Sequence, residues 1–122
     1  MTNEIGSSFL FNDLAKFVID IASEKQARNV VMLDLREMSS FTDYFIILTA
    51  DSERQMNSIL EDIEQSLKKE RIRPHHMEGS TDSGWILMDY GDIVVHIFSP
   101  QEREYYALEQ LWSRASVIFR IQ

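Results

Sequence analysis

Residues 85–98 read WILMDYGDIVVHIF, and this stretch decides the fold. Two apolar runs flank Gly91-Asp92, and a Gly-Asp pair between such runs is typical of a tight β-hairpin turn. We therefore expect strands over 85–90 and 93–98, joined by a two-residue loop. With that loop length the register of the hairpin is fixed, and residues directly opposite each other share one face of the sheet.

The predicted register places two different kinds of side chain on the two faces of the hairpin. One face is almost wholly apolar, and we expect helices to cover it. Its residues are Ile86, Met88, Tyr90, Ile93, Val95 and Ile97. The other face mixes aromatic, aliphatic, acidic and imidazole groups, as a half-exposed contact surface would. Its residues are Trp85, Leu87, Asp89, Val94, His96 and Phe98.

The rest of the chain shows helical and strand patterns without strict alternation. Helical segments cover residues 8–26 and begin again after the N-cap residues Ser52 and Ser99. Strand segments are 29–35, 44–49, 75–78, 85–90 and 93–98. The sequence VIFRIQ at residues 117–122 is compatible with either a further strand or a packed tail. We predict an α/β or α+β fold, with a mixed β-sheet of about five strands flanked by helices. A flexible tail over residues 1–7 would precede a single domain over residues 8–122.

The composition excludes several classes of protein. The chain has 122 residues, of which 44% are hydrophobic and 26% are charged, close to ordinary globular usage. It has no cysteine, which excludes disulfides, thiolate catalysis and cysteine-based zinc or iron–sulfur sites. No apolar run approaches the ~18 residues that a membrane span needs. The N-terminal residues lack the pattern of a secretory or transit segment, so we expect a cytoplasmic protein without membrane contact.

The charge balance indicates a basic partner. Acidic residues outnumber basic ones by 20 to 12, which is the wrong sign for direct nucleic-acid binding. The stretch from Pro74 to Glu102, both included, contains five acidic residues and no Lys or Arg. An acidic stretch that includes a tryptophan suits a basic protein, although the same acids would also serve as solvated turn and cap residues. The candidate partner-binding residues are Trp85, Asp89, Tyr90, Asp92, His96 and Glu78.

Catalytic and metal-binding patterns are weak. Asp34 and Arg36 have the alternate spacing of a two-metal nucleotidyl-transfer site, but the arginine replaces the second carboxylate and no Gly-Ser turn precedes it. Asp89 and Asp92 need not point the same way, because Asp92 lies in the turn. His96 is alone in its strand, whereas a metal site needs several converging ligands. We expect no catalytic residue, no metal and no cofactor, with a metal-dependent nucleotidyltransferase-like enzyme as the alternative.

Three motifs resemble the signatures of the Iojap-like ribosomal silencing factor family. They are SSFTDYFII at 39–47 with TADSERQ at 49–55, EG at 78–79 with GWILMDYGDIVVHIF at 84–98, and REYYALEQLW at 103–112. The specific core of the second motif is W-x-x-x-D-x-G-D-x-x-V-H. Ala50 stands where many members have Gly, and Tyr90 stands where many have Leu.

The resemblance implies a fold and a function. The implied fold is a nucleotidyltransferase-like mixed sheet without catalytic carboxylates. The implied function is binding to the large ribosomal subunit through its fourteenth protein, at the surface where the small subunit joins. Occupying that surface would block subunit joining and repress translation under nutrient limitation or in stationary phase. The family has organellar members, and the absence of a presequence pattern favours a bacterial cytosolic one. Whether the free protein forms a homodimer is left open.

Overall fold

The computed structural model describes residues 3–121, with side chains from residue 13 onward. The elements in chain order are α1 (Asn3–Glu24), β1 (Arg28–Asp34), β2 (Tyr44–Thr49), α2 (Glu53–Lys69), β3 (His76–Ser80), β4 (Trp85–Asp89), β5 (Ile93–Phe98), α3 (Pro100–Tyr106), α4 (Leu108–Leu111) and β6 (Ser116–Ile121). Helix α1 begins earlier than the sequence predicted and includes residues 3–7 of the expected tail. Residues 1–2 lie outside the described residues, and the division into tail and domain stays a prediction.

In the described part of the chain, six strands form one open, mixed sheet in the order β3-β4-β5-β2-β1-β6. Strands β2 and β5 run parallel, and every other pair of neighbours in this order runs antiparallel. The predicted mixed sheet flanked by helices is confirmed. The additional strand is β6, which the sequence left as either a strand or a packed tail.

The β4–β5 hairpin has the register expected from its sequence. Trp85 pairs with Phe98, and Asp89 pairs with Val94. Gly91 begins the turn with a φ of +92°, a conformation that glycine adopts without steric penalty. The two-residue loop therefore places alternate residues of both strands on the two faces as predicted.

Helices α1 and α2 cover the apolar face of the hairpin. Helix α2 begins at the N-cap Ser52, whose hydroxyl accepts the backbone N–H of Gln55 at 3.0 Å. The side chain of Gln55 in turn donates to the carbonyl of Lys25 at 2.8 Å, which ties α2 to the end of α1. The buried residues of α2 are Met56, Ile59, Ile63 and Leu67. The main hydrophobic core lies between these two helices and the sheet.

The last predicted helix is divided into two. Helix α3 begins as expected, with Ser99 as its N-cap and a proline at its first position. It ends at Ala107, which has a left-handed conformation with φ 47° and ψ 50°, and α4 follows. The guanidinium of Arg103 spans this break through two hydrogen bonds to the carboxylate of Glu109. The break directs α4 over part of the second face of the sheet.

Candidate protein-interaction surface

The second face of the sheet is the one that faces away from α1 and α2. Its side chains are buried on β5 and partly exposed on β4. Strand β5 is central, and its side chains on this face, Val94, His96 and Phe98, are buried. Strand β4 lies beside the edge strand, and its residues on this face are partly exposed. Those residues are Trp85, Leu87 and Asp89. The expectation of a half-exposed face therefore holds for β4 and is wrong for β5. The sequence did not show that side chains of the segment after Ala107 would pack against the buried cluster on this face.

Trp85 is held from three sides. Its ring stacks on Phe98 with centroids 5.0 Å apart and contacts Tyr106 with centroids 4.5 Å apart. Its indole Nε1–H donates to Nδ1 of His96 at 3.2 Å. These contacts fix the orientation of a large aromatic side chain that remains partly exposed. Rigid tryptophans of this kind are common anchors of protein interfaces.

His96 supports Trp85 from inside the protein. It is only 3% exposed, and burial lowers its pKa to about 3. The imidazole is therefore neutral at physiological pH. Because Nδ1 accepts the tryptophan hydrogen bond, the neutral ring carries its hydrogen on Nε2. His96 offers no surface to a partner, which corrects the sequence-based expectation for this residue.

Tyr90 is also placed away from the contact face. It is 7% exposed and packs in the main core, on the side of the sheet that α1 and α2 cover. Burial raises the pKa of its phenol to about 12. Its position in the hairpin motif suggested a contact role, but the alternation of the strand points it towards the helices. Four of the six predicted partner-binding residues therefore remain as candidates, namely Glu78, Trp85, Asp89 and Asp92.

The three predicted acidic residues differ in their surroundings. Glu78 lies on β3, on the same face as the exposed residues of β4, and its carboxylate lies 3.0 Å from the imidazole of His76. Asp89 accepts the backbone N–H of the turn glycine at 2.8 Å, so one of its oxygens stabilises the turn. Asp92 is exposed in the turn itself. The acidic groups thus lie along β3, β4 and the hairpin turn.

A small cleft joins Glu78 to Trp85, and we call it the docking cleft. It has a volume of about 190 Å³ and lies between β3, β4 and α3. Its lining residues are Glu78, Gly79, Ser83, Trp85, Leu87 and Tyr106. Gly79 allows the strands to come close here, because a Cβ at this position would lie 1.9 Å from the carbonyl oxygen of Trp85. The strand pairing beneath the cleft therefore requires glycine.

Sequence reasoning missed several exposed aromatic and apolar side chains. Phe41 is 62% exposed, Leu111 is 74% exposed and Tyr105 is 77% exposed. The ring of Phe41 lies 6.4 Å from that of Trp112, and the ring of Tyr105 lies 4.9 Å from that of Tyr106. Their occurrence in the first and third motifs was the available signal. In an unbroken helix after Ser99, helical periodicity would place Leu111 on one apolar stripe with Leu108 and Ala115, but the break at Ala107 disrupts that stripe.

The Asp34–Arg36 pair has the geometry of a structural ion pair. The guanidinium of Arg36 donates to both carboxylate oxygens of Asp34, at 2.9 and 2.7 Å, and these hydrogen bonds lower the pKa of Asp34. Within the described residues, no group of three His, Asp or Glu side chains is placed to share a metal ion. In the same part of the chain, no helix has the length and apolar character needed to cross a membrane.

Comparison with known proteins places this chain in a family. The family model described as ribosomal silencing factor during starvation matches residues 10–122. The chain belongs to the ribosomal silencing factor family. The resemblance drawn from the three motifs is confirmed. The ribosomal silencing factor of Bacillus subtilis is 35% identical over 84% of this chain and 86% of its own length.

Two other relatives extend the comparison. The mouse protein named mitochondrial assembly of ribosomal large subunit protein 1 is 30% identical over 84% of this chain and 48% of its own length. A crystal structure of a Chromobacterium violaceum protein has a TM-score of 0.79 at 29% identity, covering 84% of this chain and 85% of that one. Membership in the silencing factor family assigns this chain to the regulation of translation.

Proposed function

We propose that this protein binds the large ribosomal subunit through its fourteenth protein and sterically blocks joining of the small subunit. Family membership carries the proposal, because the family is described by the silencing of ribosomes during starvation. The name of the mouse relative refers to the large subunit. A protein that occupies the joining surface would repress translation under nutrient limitation or in stationary phase without any chemical step. We propose the bacterial cytoplasm as its location.

The face around the docking cleft supports binding to a basic protein. Trp85 is presented rigidly, with Tyr106 beside it and the carboxylate of Glu78 on the neighbouring strand. Aromatic anchors surrounded by complementary charge are typical of specific protein interfaces. The absence of Lys and Arg from residues 74–102 favours a basic ribosomal protein over the phosphates of ribosomal RNA.

We propose that the protein has no nucleotidyltransferase activity. Such a site needs converging carboxylates that hold metal ions, and Arg36 instead occupies both oxygens of Asp34. Calorimetric titration with Mg·ATP should show no binding in the micromolar range. Micromolar binding would support the enzyme alternative and argue against this part of the proposal.

Co-sedimentation with purified ribosomal subunits tests the main proposal. The protein should sediment with large subunits and not with small ones, and it should reduce the light-scattering increase that accompanies subunit joining. Trp85→Ala should weaken binding by about 2–4 kcal/mol, as truncation of an interface anchor does. Trp85 also packs against the buried cluster on its own face of the sheet, so binding is compared at a temperature where circular dichroism shows the variant to be folded. Failure of the wild type to bind large subunits would refute the proposal.

A further inference from the structure

We infer that the docking cleft receives one arginine side chain of the partner. The inference rests on the proposed function and deepens it, because it names the chemical group that the contact face recognises. The volume of the cleft, its aromatic walls and its carboxylate each favour this occupant.

The volume of the cleft suits a single side chain. It measures about 190 Å³, which is several times the ~30 Å³ that one water molecule occupies in the liquid. It is smaller than the roughly 300–1,000 Å³ of sites that enclose whole small-molecule ligands. A nucleotide is therefore too large for the cleft, whereas one extended side chain fits.

The aromatic walls favour a planar cation. The rings of Trp85 and Tyr106 meet at an interplanar angle of 47° with centroids 4.5 Å apart, and they form a corner. The face of an aromatic ring attracts a cation within about 6 Å of its centroid. The planar guanidinium of arginine stacks on such a face, whereas the ammonium of lysine is compact and strongly hydrated. Leu87 supplies apolar lining for the methylene stem of the arginine.

Glu78 supplies the opposite charge within reach of the rings. It pairs with Leu87 across the strands and is therefore the diagonal neighbour of Trp85, a separation of roughly 7–8 Å in antiparallel sheets. Within the described residues, its carboxylate contacts the imidazole of His76 at 3.0 Å and forms no salt bridge with an arginine or lysine. Three other carboxylates are already paired with arginines of the fold, namely Asp34, Asp51 and Glu109. Glu78 is thus available to an arginine from another molecule.

Short peptides test the cleft without the ribosome. The probes are acetyl-Gly-Xaa-Gly amides in which Xaa is arginine, lysine, citrulline or norleucine, titrated while NMR follows the indole N–H signal of Trp85. The arginine peptide should shift this signal saturably and bind about fivefold more tightly than the citrulline peptide, which has nearly the same shape without the charge. Equal binding of arginine and citrulline, tighter binding of lysine, or no saturable shift with arginine would overturn the inference.

A second experiment measures how substitutions in the docking cleft change binding to the large ribosomal subunit. Tyr106→Leu keeps the apolar bulk but removes the aromatic face, and it should weaken binding to the large subunit about three- to tenfold. Tyr106→Phe keeps the aromatic face and should weaken this binding clearly less. Glu78→Gln should weaken binding about two- to fivefold. Glu61→Gln removes the same charge from the exposed side of α2 and is the matched control.

The two sets of measurements separate failure of the cleft from failure of the proposed function. If the wild type binds large subunits and the cleft variants bind equally well, the proposed function stands and the arginine inference is wrong. If the wild type does not bind large subunits, the proposed function is wrong, and the peptide titration alone decides what the cleft accepts.

Discussion

The two faces of β4 differ in what covers them, although consecutive residues of one strand supply both. Ile86 and Met88 point into the core beneath α1 and α2 and are 1% and 0% exposed. Trp85 and Leu87 point to the opposite side and line the docking cleft. A step of one residue therefore separates groups that stabilise the fold from groups placed to contact a partner. Substitutions on the two faces should separate stability from binding.

The largest expected effect on stability is at Ile86. Ile86→Ala should lower the free energy of unfolding by about 2–5 kcal/mol, because it leaves a cavity in the helix-covered core. Leu87→Ala should lower it by only about 1–2 kcal/mol, because the leucine is already partly exposed. Urea denaturation measures both values.

Binding to the large subunit should show the opposite order for the same two variants. At a temperature where both are folded, Leu87→Ala should weaken binding more than Ile86→Ala. Equal losses of stability, or a binding defect confined to folded Ile86→Ala, would show that the two faces are not functionally distinct.

Local signals were sufficient to predict much of the fold. Strands β2 and β5 have the predicted bounds, because each is a run of apolar and β-branched residues between turn residues. The hairpin register followed from a two-residue turn that contains glycine. The caps at Ser52 and Ser99 were predictable because they depend on residues within one helical turn.

The features that were missed depend on contacts between distant segments. Alanine is the strongest helix former, so nothing local predicts that the helix breaks at Ala107. The break is stabilised by Arg103, which bonds Glu109 and also reaches the side chain of Thr49 on β2 at 2.9 Å. His96 itself is enclosed by aromatic rings of β2, β4 and β5, so the burial of that residue was not visible in the sequence.

The candidate site could be predicted only in part for the same reason. Alternation along β4 correctly placed Trp85 on a partly exposed face, and the pairing of β3 places Glu78 beside it. Tyr106 joins them from α3, more than twenty residues away in the chain, and no spacing rule connects it to the hairpin. The alternation of the strand had already placed Tyr90 on the helix-covered face, which the structure bears out; its inclusion among the partner-binding residues followed the motif instead.

The buried imidazole should make stability depend on pH. The pKa of His96 is lowered from the ordinary 6.5 to about 3, so between these values the unfolded chain binds a proton that the folded protein does not. The stability contributed by neutral His96 is therefore complete above about pH 6.5 and is lost as the pH falls. Between pH 6.5 and 4.5 the wild type should lose about 2 kcal/mol more than His96→Gln, whose amide does not titrate and retains an acceptor for the indole of Trp85.

Urea denaturation at the two pH values checks this difference, and comparison with the variant removes the contribution of the carboxylates that titrate in both proteins. A wild type and a variant that lose the same stability would mean that His96 is protonated equally in the folded and unfolded states. The support of the contact face would then not depend on a neutral imidazole.

The smallest expected effect is at Asp89, where one carboxylate serves both the turn and the contact face. Asp89→Asn keeps an oxygen to accept the N–H of Gly91, which lies 2.8 Å from Oδ1 of the aspartate, and removes only the charge. The free energy of unfolding should change by less than about 0.5 kcal/mol. Association with the large subunit at low salt should slow by an amount equivalent to about 0.5–1 kcal/mol, because the acidic face attracts a basic partner.

Stopped-flow association rates at two salt concentrations decide what the charge of Asp89 contributes. The difference between the wild type and Asp89→Asn should shrink as the screening length falls from about 10 Å at 0.1 M salt to about 3 Å at 1 M. Asp89→Lys should slow association further at low salt, since it places like charges opposite each other. If Asp89→Asn associates as fast as the wild type at low salt, Asp89 serves only the turn, and the electrostatic attraction must come from Glu78 at the docking cleft.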